Sequence, residues 1–158
     1  MPQRSAHAAL CLILGGVLER FPKLKCCIAH GGGAFPFTIG RFKHGHFCRP
    51  DLCAHACSTP PQEFLGFFVV NKILVSITWL GRIWTDSLVH DDDALEFLIK
   101  KIGKNRVLLG SDYPFPLGEI DREGKYVENA DFLSAQEKEN ILADNVFDFV
   151  GRDRRDFE

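Results

Sequence analysis

Short apolar runs at residues 24–29, 83–85 and 107–110 are separated by longer segments with helical spacing, and this alternation limits the chain more than any other feature. Ala6, Ala9, Leu10, Ile13, Leu14, Val17 and Leu18 recur with the period of one helix face until Phe21-Pro22 ends the segment. Leu24 to Ala29 reads as a buried strand, Phe35 to Phe47 as a helix and Pro50 to Pro61 as a long loop. A strand near Ile83 to Thr85, a helix over Ala94–Ile102 and a strand over Val107–Gly110 follow, and helices over Ser134–Asp144 and Val146–Val150 close the chain. Helices alternating with wholly apolar strands predict an α/β protein with a parallel sheet, because parallel strands are covered on both faces and joined by helical crossovers.

In such folds ligands bind at the carboxyl ends of the strands. Two predicted strands run into groups fit for chemistry there. "CIAHGGG" runs into His30, and "VLLGSDYPFP" runs into Ser111-Asp112. Both are followed by residues that break regular backbone, Gly31 to Gly33 in one case and Pro114 and Pro116 in the other. A histidine at a strand mouth is held by the sheet, while glycines beside it let a ligand approach the backbone closely. The competing reading is two structural turns, since His-Gly and Asp-Tyr-Pro are also ordinary turn sequences.

Composition excludes several classes. The 158 residues fit one domain, with 46% hydrophobic and 25% charged residues and a net charge of -2. The 19 basic residues are balanced by 21 acidic ones and scattered, which argues against nucleic acid, and Arg152, Arg154 and Arg155 read as a solvated tail. The longest apolar stretch, residues 67–80, is interrupted by Asn71 and Lys72 and is too short to span a bilayer. With no secretory signal pattern at the amino terminus, the expected compartment is the cytosol. Cys48, Cys53, His55 and Cys57 lie close in sequence, but without the paired spacing of a structural zinc site they read as unpaired thiols in a loop.

The segments "ERFPKLKCCIAHGGGAFPFTIGR", "RPDLC", "TDSLVHD" and "VLLGSDYPFPLGE" resemble the carboxyl-terminal half of the 2-amino-3-carboxymuconate-6-semialdehyde decarboxylases, a family of the amidohydrolase superfamily. The resemblance runs over nearly the whole chain. It implies a (β/α)8 barrel of which these residues form the carboxyl-terminal strands and helices, so residues 1–158 are expected to be part of one barrel domain. It also implies a zinc-dependent carboxy-lyase of tryptophan catabolism that limits quinolinate and NAD synthesis. His30 matches the family's acid-base histidine, which stands next to the water on the metal. Asp112 matches a zinc-ligating aspartate. Arg41 matches an arginine that reaches a neighbouring subunit's site and grips a substrate carboxylate, which implies a homodimer through that region. Those residue types suit the work, because zinc acidifies its water, histidine exchanges protons near neutral pH and a guanidinium pairs with a carboxylate through two parallel hydrogen bonds.

The departures from the family carry as much information. Nothing here matches its H-x-H on the first strand, its histidine on the fifth, or its first substrate-gripping arginine. "KHGH" at 43–46 falls in a helical stretch, where positions two apart point about 200° away from each other, so His44 and His46 do not form a strand-type chelate. His7 reads as a surface or core residue of the first helix. Residues 68–82 intrude where the family passes almost directly from Leu65-Gly66 to Thr85-Asp86, and they read as an insertion from an alternative exon or translated intron. Their Val, Ile and Trp content suits a strand, yet an extra strand has no place in a closed barrel. The expectation is that these 158 residues alone bind zinc weakly and do not turn over. Two alternatives stand beside the decarboxylase: a non-catalytic short isoform that pairs with a full-length subunit, and a related enzyme that decarboxylates an aromatic acid.

Overall fold

The computed structural model describes residues 2–65, 67–70, 73–76, 81–119 and 122–157, which form two compact units. The first unit comprises Met1–Cys26 and Gly32–Ile83, the second Cys27–Gly31 and Trp84–Glu158.

In the first unit, helix α1 (Pro2–Leu14) buries Ala6, Ala9 and Ile13, the stripe its spacing predicts. Gly15 and Gly16 break that helix, and a single turn, α2 (Val17–Arg20), buries Leu18. The predicted strand after Pro22 is shorter than its apolar run: β1 covers Cys26–Ile28 and crosses into the second unit. Helix α3 (Phe35–Cys48) begins with proline inside its first turn, where a missing N–H costs nothing, and buries Phe35 and Ile39 against α1. The expected loop from Pro50 is partly helical, since Pro50 also starts a turn, α4 (Pro50–Cys53). Glu19 fastens the chain beyond α4. Its carboxylate accepts hydrogen bonds from the Ser58 and Thr59 amides (3.3 and 2.7 Å) and both hydroxyls (2.9 and 2.5 Å). The Thr59 hydroxyl leads in holding that carboxyl down at about 2, while burial and the nearby Glu19 charge push the Cys57 thiol up to about 11. Strands β2 (Phe67–Val70) and β3 (Ile73–Ser76) pair antiparallel in a two-stranded sheet of their own. The strand content of 67–80 was legible, but the single strand expected there is a hairpin among the described residues.

The second unit is built on a three-stranded sheet in the order β1, β4 (Ile83–Asp86), β5 (Val107–Leu108). Strands β4 and β5 are parallel, with Thr85 opposite Val107 and Asp86 opposite Leu108. Helix α5 (Asp92–Ile102) makes the crossover between them. Asp91 caps it by accepting from the Ala94 amide at 2.8 Å, acidic Asp92 and Asp93 occupy its first turn and Lys100 and Lys101 its last, in the sense the helix dipole favours. Leu95, Leu98 and Ile102 are its buried face. A short helix that the sequence did not announce, α6 (Lys125–Asn129), buries Val127. The single helix expected over 134–144 is instead α7 (Ala135–Glu139), opened by a Ser134/Glu137 capping box, followed by a π-helical turn (Asn140–Asp144) and α8 (Asn145–Val150).

Two buried polar groups tie this unit together. Arg106 lies over the Trp84 ring, 5.3 Å from its centroid, and burial lowers the affinity of its guanidinium for a proton while the Asp148 charge opposes that. Asn145 donates from Nδ2 to the carbonyls of Lys104 and Val107, both at 2.8 Å, and so fixes α8 to the edge strand β5. Asn145→Ala leaves both carbonyls without that donor. Buried groups deprived of a partner cost about 1–3 kcal/mol each, so the variant is expected to lose about 3 kcal/mol, read as a lower denaturant midpoint with an unchanged slope.

No described helix is long and apolar enough to cross a membrane.

Candidate functional site

The strand mouths of the second unit bring together what the sequence singled out. Strand β1 stops at Ile28, and the chain enters a turn in which His30, Gly31, Gly32 and Gly33 have φ of 60°, 58°, 75° and 59°. Four consecutive residues therefore lie in the left-handed region, which costs an L-residue roughly 1–2 kcal/mol and glycine almost nothing. Three of the four are glycine. His30 alone bears a side chain there, which makes it the conformational outlier of its turn.

Asp112 follows β5 by four residues and is a second outlier, with φ of 57°. The sequence placed both residues on strand ends. The structure places them just beyond, in loops, because the ladder between β4 and β5 ends at the Asp86–Leu108 pair. His30 Nε2 lies 3.7 Å from Asp112 Oδ1, with the two side chains 34% and 25% exposed. That distance is an ion-pair separation when the imidazole is protonated, and it leaves both groups open to solvent. Non-glycine residues held at positive φ cluster at functional sites, where surrounding structure maintains a conformation the residue does not favour.

The third strand of the sheet supplies a carboxylate that sequence reasoning did not assign. Asp86, the last residue of β4, accepts from the His30 amide through Oδ2 (2.9 Å) and from the Gly31 amide through Oδ1 (2.7 Å). Its Oδ1 also accepts from the Leu88 amide at 3.2 Å. The strand-end rule that selected His30 and Asp112 applies equally to Asp86. What it lacked was the flanking glycine or proline that marks a break, since Ser87-Leu88 follows.

Arg41 lies in the first unit, on the exposed side of α3 together with Phe37, His44 and Phe47. "KHGH" is helical, as its setting predicted: His44 Nε2 meets Cys48 Sγ at 3.3 Å, and His46 Nε2 meets the Cys57 carbonyl at 3.1 Å. His7 lies on α1 with its Nε2 3.5 Å from Cys11 Sγ. None of the six cysteines is in a disulfide, but Cys48 and Cys53 sit in helical turns rather than in the expected loop.

Whether these residues hold a metal ion can be judged from the donors. Asp112 offers the oxygen and His30 the nitrogen that a divalent cation of this class takes, yet a protein site needs three or more such donors. Among the described residues no three His, Cys, Asp or Glu side chains are grouped to hold one. The donor set among the described residues is therefore incomplete by itself.

The family model described as amidohydrolase matches residues 1–151. The 2-amino-3-carboxymuconate-6-semialdehyde decarboxylases of Dictyostelium discoideum and Caenorhabditis elegans are 46% and 44% identical over 97% and 92% of this chain. The chain spans only 38% and 32% of those two proteins. Among solved structures, a dihydroxybenzoic acid decarboxylase from a Polaromonas species, with bound manganese and 2-nitroresorcinol, superimposes with a TM-score of 0.74 at 20% identity, covering 95% of this chain and 40% of that one. At that identity the likeness carries the fold alone: α/β, a part of the (β/α)8 barrel expected from the sequence.

Proposed function

The chain belongs to the amidohydrolase family, and from that membership we propose that its protein is a metal-dependent carboxy-lyase that converts 2-amino-3-carboxymuconate 6-semialdehyde to 2-aminomuconate 6-semialdehyde. The observation that carries the reading is the pair formed by His30 and Asp112, 3.7 Å apart beyond the ends of β1 and β5, the two strands that flank β4, and both held at positive φ. The names of the Dictyostelium and Caenorhabditis relatives support this substrate. The reaction belongs to tryptophan catabolism in the cytosol, where it limits quinolinate and NAD synthesis.

Loss of carbon dioxide exchanges a C–C bond for a C–H bond, so one proton must reach the carbon that keeps the bonding pair. His30 is assigned to deliver it, with its Nε2 3.7 Å from Asp112 Oδ1. Asp112 contributes one oxygen to a divalent cation, zinc by the sequence resemblance, which when bound supplies Lewis acidity. The other donors are assigned to residues outside those described. Arg41 is assigned to a substrate carboxylate in the site of a second copy, in a homodimer formed through the exposed side of α3. Residues 68–82 are read as an insertion into the barrel domain, a reading supported by the pairing of β2 with β3 in a two-stranded sheet separate from that of β1, β4 and β5 among the described residues.

One experiment decides. The protein at its natural full length, loaded with zinc or manganese, is given the semialdehyde, and carbon dioxide release is followed. Turnover that chelation abolishes and added metal restores is the expected result. The 158-residue chain alone, to which a single metal donor is assigned, is expected to show none. A second reading, decarboxylation of a hydroxylated aromatic acid, is favoured by the likeness to the dihydroxybenzoic acid decarboxylase. Turnover of 2,6-dihydroxybenzoate without turnover of the semialdehyde would establish it instead. Association of the inactive 158-residue chain with the natural-length subunit would support the remaining alternative, a non-catalytic short isoform.

A further inference from the structure

The Asp86 carboxylate does something different from the other two side chains at the strand mouths. Its oxygens accept from three backbone amides, those of His30, Gly31 and Leu88. Successive amides at positive φ form a concavity that receives an anion. At His30 and Gly31 the anion is the side chain of Asp86, reached across 56 residues of sequence. The same side chain is pressed against the exit of β5. A Cβ placed on Gly110 would stand 2.5 Å from the Asp86 Cβ, 2.9 Å from its Cγ and 3.1 Å from Oδ2. Gly110 lies two residues before Asp112. The neighbouring Ser87 Oγ accepts from the Gly110 amide at 3.4 Å, a second, longer link between the same two strand ends.

We propose that Asp86 is the positioning residue of this site: its carboxylate holds the His30 turn in its left-handed conformation and, wedged against Gly110, sets the separation of His30 from Asp112. The inference rests on the reading of His30 as the proton-transfer residue. The chemistry requires a carboxylate rather than an amide, because both side-chain oxygens accept and an asparagine would turn an NH2 toward one of the two amides. Gly110 is required for the matching reason, that any side chain there displaces the carboxylate.

The test uses the protein at its natural full length, loaded with zinc. Asp86→Asn is expected to lower kcat about 100-fold with KM unchanged, the loss typical of a reacting group displaced by about an ångström. Asp86→Asn combined with His30→Asn is expected to be no slower than His30→Asn alone, since a residue acting only through His30 has nothing further to lose. A wild-type kcat in Asp86→Asn, or losses that multiply in the double variant, would overturn the proposal. Should Asp86→Asn fail to fold, Gly110→Ala keeps the carboxylate but displaces it, and a kcat loss with KM unchanged is expected there too. An unchanged kcat in that variant counts against the proposal. If the wild-type protein releases no carbon dioxide, or His30→Asn is fully active, the catalytic reading has failed on its own, and amide hydrogen exchange then decides. Selective loss of protection at His30 and Gly31 in Asp86→Asn, with the β4–β5 ladder unaffected, supports the positioning role. Equal protection in both proteins refutes it.

Discussion

Replacing His30 by asparagine is expected to lower kcat of the metal-loaded, natural-length protein about 1,000-fold, within the range usual for removal of a general acid or base. Asparagine is the informative substitute. It is among the few residues that tolerate positive φ, so the turn after β1 keeps its shape and the amide donated to Asp86 survives. The side chain also keeps polar atoms near Asp112. What it loses is the capacity to carry a proton between solvent and substrate. The fall should therefore appear in kcat with an unchanged melting temperature. A kcat within tenfold of wild type would show that the proton comes from elsewhere.

Gly31→Ala is expected to be strongly destabilising. At φ of 58° the new side chain meets the left-handed penalty, and its Cβ would lie 2.5 Å from Val89 Cγ1 and 3.3 Å from Leu98 Cδ2. Val89 could rotate, but Leu98 is fully buried on α5 and has little room to yield. The two costs, about 1–2 kcal/mol for the backbone and about 1–3 for overpacking, sum to about 3 kcal/mol. For a chain of this size that corresponds to a fall of about 10 °C in melting temperature. Gly40→Ala is the control, since a Cβ there meets nothing within 4 Å and alanine favours the helix. Equal melting temperatures for the two variants would mean that the His30 turn is not held by its surroundings.

The large features of the fold were legible because they are written in period. The stripe of α1, the start of α3 and the buried face of α5 each follow from apolar residues at helical spacing, and the three strands of the sheet from short runs without charge. Elements of four or five residues, such as α4 and α6, are too short to show a period. Their signals are local: Pro50 at a helix start, and Gly124 at positive φ before Lys125. The π-helical turn before Asn145 was not legible either, because it accommodates hydrogen bonds to the Lys104 and Val107 carbonyls, some forty residues away in sequence. His30 and Asp112 were found because backbone breakers flag them. Asp86 was not, although its type and place are as telling, because its partners are backbone amides that leave no trace in residue identity.

The His30–Asp86 hydrogen bond closes a loop of 56 residues, and the hairpin β2–β3 lies within that loop. Closure entropy rises only with the logarithm of loop length, so removing residues 68–82 would change the cost of bringing the two strand ends together by about 0.3 kcal/mol. Whatever length of chain evolution or splicing places between them, the equilibrium geometry of the strand mouths is nearly blind to it. The sensitivity lies in kinetics, where a contact so distant in sequence forms late and leaves the intervening strands exposed while it does.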